Sequence, residues 1–124
     1  KIVGMNKNEI HFPIGYGWLN EKKIIGTSEF SQLEPWFYLD ENRCFFANKK
    51  WPNVIGEQLF AFAKRQDNDE LACFKINESG VCEGVYLING WTPNGFDIIQ
   101  FYPDFWEWVH LVIQDVSEWI DNKG

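Results

Sequence analysis

Residues that could do chemistry are few in this chain, and they are scattered. The two histidines, His11 and His110, have no cysteine or histidine three or four positions away, whereas a metal site needs three or four converging ligands. Asp67, Asp69 and Glu70 form an acidic cluster. It lacks the glycine and late glutamate of a calcium loop, because Glu70 runs straight into an apolar segment. Ser28, Ser31, Ser79 and Ser117 lack a nucleophile-elbow setting, and Cys44, Cys73 and Cys82 have no neighbouring base to activate them. No glycine-rich phosphate loop occurs. Paired carboxylates of the glycosidase kind meet only in space and stay open at this level. The expectation is no catalytic site, no metal and no cofactor.

Charge and rings point to binding instead. The net charge is −7; residues 1–23 hold a balance of +2, which leaves −9 for the rest. Such a surface repels phosphate backbones, so nucleic acid is not the expected partner, and it attracts a basic protein. Acidity also serves solubility alone. Aromatic residues make up 18%, with seven Trp and eleven Phe, so a few large rings can carry the core. Trp36, Trp51 and Trp91 stand beside prolines or in loops. There a ring can close the edge of a core, anchor an interface or offer a platform to a sugar.

Three unpaired cysteines suit a reducing compartment, and the first residues carry no apolar signal segment, so a cytoplasmic location is expected. Met5, with the polar stretch after it, would make an ordinary start. No apolar run approaches the ~20 residues needed to span a bilayer, so no membrane association is expected.

The elements that must position these residues read as one domain over 1–124. Pro13, Gly15 and Gly17 predict a loop over residues 11–23 anchored by Phe12, Tyr16 and Trp18. Ile24 and Ile25 begin a short strand that Gly26 ends. Residues 36–39 and Cys44 to Ala47 are strands around the turn Asp40-Glu41-Asn42. Residues 58–64 and 71–76 form a hairpin about the polar turn 65–70. Both arms are apolar on both faces, which places them centrally in a sheet covered on two sides. Residues 81–89 are a further strand, 90–95 a loop, and 96–102 extended or irregular. Phe105, Trp108, Val109, Val112, Ile113, Val116 and Ile120 fall on one stripe of a terminal helix capped by Asp104, with Glu107, Gln114, Asp115, Glu118 and Asp121 elsewhere. The fold class is α+β, with a C-terminal amphipathic helix packed on one face of a sheet.

Leu59-Phe60-Ala61-Phe62-Ala63, the turn Arg65 to Glu70, Leu71-Ala72-Cys73-Phe74, Gly84-Val85-Tyr86-Leu87-Ile88 and Phe105-Trp106-Glu107-Trp108 together resemble the SUKH superfamily. That grouping includes the yeast cell-wall-assembly regulator family and many bacterial immunity proteins. Pro13-Ile14-Gly15-Tyr16 has the spacing of the family's early Pro-x-x-Tyr motif, but its glycine departs from the usual helix. The resemblance implies a mixed, mostly antiparallel central sheet with helices packed on it, and a cytosolic antidote that binds a cognate toxin and masks it, many such toxins being basic nucleases. It also admits a regulator or scaffold that binds an endogenous protein. A carbohydrate-binding module on the three tryptophans is a third reading. The resemblance carries over no fixed site residues. Exposure and charge select Asp40, Glu41, Asp67, Asp69, Glu70, Trp91 and Asp97 as candidate partner-binding residues.

Overall fold

The computed structural model describes residues 7–29, 31–54, 56 and 58–123. The expected start at Met5 and the helix end at Gly124 lie outside them. The strands β1 (Trp36–Tyr38), β2 (Phe45–Phe46), β3 (Leu59–Arg65), β4 (Glu70–Ile76), β5 (Cys82–Thr92) and β6 (Gly95–Tyr102) form one antiparallel sheet in the order β1-β3-β4-β5-β6. β2 pairs with the same edge of β3 as β1, further along the strand. Among the described residues three α-helices accompany it: α1 (Ile14–Glu21), α2 (Ala47–Lys50) and α3 (Phe105–Lys123). The chain is α+β, with the terminal helix packed on the sheet.

The β3–β4 hairpin sits in the middle of the sheet because it has no polar face. Phe60, Phe62, Phe74 and Ile76 point to one layer, which α1 and α3 complete with Tyr16, Leu19, Phe105, Trp108 and Val112. Leu59, Ala61, Leu71 and Cys73 point to the other, closed by Phe37, Leu39, Ala47 and Phe96. The Phe62 and Phe74 rings stack at 4.0 Å between centroids. Trp108 meets Phe62 edge-on at 5.0 Å, and Tyr16 meets Phe74 edge-on at 5.3 Å. Offset and edge-to-face pairs of this kind add to the burial itself.

Four expectations from the sequence are corrected. Residues 14–21 are a helix, not a loop. Gly15 is what lets it form against α3: a Cβ there would stand 2.6 Å from the Trp106 ring and 3.1 Å from the Phe105 ring. The glycine that weakens the helix in isolation is needed for its close packing. Within it Tyr16 joins the core, while Trp18 stays about half exposed. Ile24 and Ile25 form bends rather than a strand, and Ile25 is fully buried. The strand over 44–47 is reduced to β2, because Ala47 already begins α2. The loop over 90–95 is mostly strand: β5 runs on to Thr92 and turns directly into β6.

The terminal helix begins where the sequence places it. The Glu107 backbone N–H donates to the Asp104 carboxylate at 2.9 Å, satisfying an otherwise unpaired first-turn donor. Its stripe divides, however. Phe105, Trp108 and Val112 are buried, but Ile113 and Ile120 are 51% and 60% exposed. Asp115, which falls off that stripe, turns inward. It accepts from the Trp36 indole N–H at 2.9 Å and from Arg65 at 3.3 Å.

Two outcomes follow. Trp108→Ala should cost roughly 3–5 kcal/mol of stability by urea unfolding, the range for emptying an aromatic core site. Asp115→Ala should cost about 1–3 kcal/mol, because it strips a buried indole donor of its acceptor. A loss under about 0.5 kcal/mol in either case would contradict this packing.

Candidate functional site

The antiparallel register brings the turn after β3 and the hairpin after β5 to one end of the sheet. Gly90 N–H donates to the Asp69 carbonyl at 3.0 Å, Glu70 faces Asn89, and Asn89 in turn faces Asp97. Asp67, Asp69, Glu70, Trp91 and Asp97 thus share this end. Asp40 and Glu41 do not; they lie on the turn between β1 and β2 and rim a separate cleft.

The turn is built by its own side chains. Asn68 accepts from the Glu70 N–H at 2.8 Å, a local bond that holds the reversal. Arg65 is bidentate to Asp67, with both contacts at 2.9 Å, and also reaches Asp115. Burial alone would raise the Asp67 carboxyl, but the guanidinium outweighs it and the pKa lies below the ordinary value. Glu70 moves the other way. Burial raises its pKa, Arg65 offsets part of that, and Asp115 and Asp67 add to it. Asp67 and Asp115 are both held by Arg65, and Asp67, Asp69 and Asp97 are all exposed.

Trp91 carries the second signal. Its φ of 55° lies in the left-handed region, rare for a bulky residue, where the β5–β6 register shifts between Asn89 and Thr92. A backbone of this kind costs on the order of 1 kcal/mol and is imposed by the surrounding hairpin, and the ring stands at the surface. The ring is 46% exposed and meets Trp51 edge-on at 5.4 Å. Lys50 and Lys64 ammonium groups stand 5.7 and 5.9 Å from its centroid. These bases and Arg65 were not foreseen among the site residues. They make the sheet end a mixed-charge surface around an aromatic centre, not a uniformly acidic one. Interleaving of Lys64 and Arg65 with the acids was visible in the sequence; the approach of Lys50 depends on the fold. Trp36 offers nothing to a ligand, because it is fully buried.

The separate cleft has a volume of about 520 Å3. Phe12, Tyr16, Tyr38 and Phe60 line it, with Lys7, Asp40 and Glu41 among its polar groups. Lys7 Nζ donates to the Glu41 carbonyl at 2.7 Å, and the Tyr38 hydroxyl donates to the Tyr16 carbonyl at 3.0 Å. Cys44 also faces it. Burial pushes the Cys44 thiol up to about 11, against smaller lowering effects of Tyr16 and Lys7. Burial pushes Cys82 up to about 12, and Cys73, wholly enclosed, is raised as well. These are protonated, weakly nucleophilic thiols at neutral pH. Among the described residues no three His, Cys, Asp or Glu side chains converge to hold a metal ion. No helix among them is long and apolar enough to cross a membrane.

The raised thiols set a pH dependence. The fold favours the protonated form, so that stability is complete below about 9 and declines as pH rises toward about 11 for Cys44. At about pH 8 the folded chain should react with iodoacetamide at least tenfold more slowly than the urea-unfolded chain, since the thiolate is the reactive form. Equal rates would contradict the burial of these groups.

No family model matches the chain, and no solved structure matches it. Among curated proteins it is similar to the DNA-directed RNA polymerase subunit beta'' of Psilotum nudum, with 26% identity over 123 residues. That alignment covers 98% of this chain and 8% of the polymerase subunit. The chain thus spans a small part of the protein it matches.

Proposed function

We propose that this chain is an immunity protein that binds and neutralises a cognate bacterial toxin by direct contact, working in the cytoplasm and catalysing nothing itself. The observation that carries the reading is the sheet end. There Asp69 and Asp97 are exposed around a half-exposed, strained Trp91 that two lysines flank. A large ring in a polar surround is the composition of an interface anchor. The resemblance in the β3–β4 hairpin, β5 and the start of α3 supplies the class of partner.

A basic toxin, such as a nuclease, suits the overall charge of −7, which speeds the encounter. Local contact then depends on Trp91 and on individual pairings, because Lys50, Lys64 and Arg65 temper the acids at the surface itself. Masking a toxin in this way needs shape and charge and no reacting group of its own.

The test is retention of the neighbouring reading frame's product on the immobilised chain. A stoichiometric complex is expected at micromolar concentration or below; no binding at micromolar concentration rejects the reading. Within such a complex, Trp91→Ala combined with Asp69→Lys should weaken affinity at least tenfold, about 1.4 kcal/mol, without lowering the unfolding midpoint by more than a few degrees. Unchanged affinity would remove the sheet end as the contact surface.

A further inference from the structure

The Lys50 ammonium stands among three aromatic rings. Its nitrogen lies 5.5 Å from the Phe45 ring centroid, 5.7 Å from that of Trp51 and 5.7 Å from that of Trp91. All three fall within the roughly 6 Å over which a ring face attracts a cation. Trp51 is the middle wall. Its plane makes 75° with Phe45 at 5.9 Å and 89° with Trp91 at 5.4 Å, so the rings form an angled box rather than a stack. Three elements build it: β2 supplies Phe45, the end of α2 supplies Trp51, and β5 supplies Trp91. Two glycines make room for the middle wall. A Cβ on Gly90 would stand 3.0 Å from the Trp51 ring, and one on Gly95 would stand 3.0 Å from the Trp51 Cβ.

Distance selects the cation. A methyl carbon lies about 1.5 Å from its nitrogen and touches a ring carbon at about 3.5–4.0 Å, which puts the nitrogen of a methylated ammonium about 5.0–5.5 Å from each wall. The Lys50 nitrogen, at 5.5–5.7 Å, leaves the space that methyl groups would fill. The walls select it too. Ring faces offer a primary ammonium or a guanidinium no ordinary acceptor for its N–H groups, whereas a quaternary ammonium has no N–H to satisfy. Lys50 is exposed at the end of α2, and its flexible four-carbon stem can swing into water. Lys64, 5.9 Å from the Trp91 centroid, is held in place by the carbonyls of Arg65 and Asn68. From this geometry we infer that Phe45, Trp51 and Trp91 form a binding site for a small quaternary ammonium compound, with the Lys50 ammonium as its displaceable resident. A charged side chain at the mouth, Lys64, suits a dissolved compound better than a headgroup in a bilayer. The site shares Trp91 with the sheet end but does not rest on the toxin reading, because no protein partner enters the argument.

The probe is choline chloride, titrated into the whole chain at a constant ionic strength of about 0.15 M and followed by the indole N–H signals in heteronuclear NMR spectra. Saturable shifts of the Trp51 and Trp91 signals are expected in the millimolar range. Lys50→Ala should bind about threefold more tightly or better, because the resident ammonium no longer competes. Trp91→Leu and Phe45→Leu keep apolar bulk and remove a ring, and each should weaken binding about fivefold or more. The dispersion of the same spectra shows that each variant is folded. The uncharged analogue of choline, with carbon in place of nitrogen, should also bind about fivefold more weakly or worse, since it has the shape without the charge. Unmoved Trp51 and Trp91 signals in the native chain would overturn the inference. So would an uncharged analogue or leucine variants that bind as well, or a Lys50→Ala affinity no higher than the native one. Sedimentation with phosphatidylcholine vesicles in the absence of any response to free choline would overturn it as well, by assigning the box to a lipid surface.

Discussion

Two-sided burial of the β3–β4 hairpin is the constraint from which the remaining structure follows. Neither strand has a polar face to give to water, so two separate layers of chain must be laid against it. On one side the stacked Phe62 and Phe74 rings set the floor on which Tyr16, Phe105 and Trp108 converge. That convergence fixes the distance between α1 and α3, and Gly15 answers it by removing the side chain that would collide with Trp106. On the other side there is too little helix for the job. The four-residue α2, with Phe37 and Leu39 from β1 and its following turn, closes the gap together with Trp51 and Phe96. Coverage stops before the outer edge of the sheet, where Ile98 and Phe101 on β6 remain 53% and 42% exposed.

Polar groups then decide which acids are structural. A connected set runs from the Trp36 indole through Asp115 and Arg65 to Asp67. It joins the edge strand, the terminal helix and the β3–β4 turn with charge-assisted hydrogen bonds in a partly buried setting, where such bonds count for more than at an open surface. In doing so it consumes Asp67 and draws Asp115 inward. Asp69, on the same turn, contributes its backbone carbonyl to Gly90 and keeps its carboxylate at the surface. Counting acids in the sequence cannot make that distinction; their partners do.

Much of the central sheet was legible because its signals are local. Short continuous apolar runs and chain reversal place β3, β4 and most of β5, and the Asp104 cap marks where α3 begins. What was illegible depends on contacts distant in sequence. Residues 14–21 look like a loop until α3 lies against Gly15. The single apolar stripe of α3 is really two, because periodicity reports an apolar arc without saying how much of it the sheet can cover. Among the candidate site residues, Asp67, Asp69, Glu70, Trp91 and Asp97 come together through strand register, whereas Asp40 and Glu41 belong to the cleft beside Tyr16. The Trp91 backbone strain had no signature in the sequence, since the residue types around it read as a plain loop.

The exposed apolar side of α3 and the Trp91 hairpin are energetically separable, and this follows from how α3 is seated. Its inward residues, Phe105, Trp108 and Val112, and the inward Asp115 hold it to the sheet and, through Arg65, to the sheet end. Trp106, Ile113 and Ile120 lie to one side of that line and keep half or more of their area in solvent. Trimming Ile113 and Ile120 to serine removes apolar area already in water, which leaves the core intact and costs the folded state little. Trp91, at the β5–β6 hairpin, touches Trp51 rather than α3. Sites without shared partners add nearly independently. Substitutions at Ile113 and Ile120 should therefore leave the sheet end unaltered, and any effect of one region on the other would have to pass through Asp115 and Arg65, the side chains that physically connect the helix to the turn.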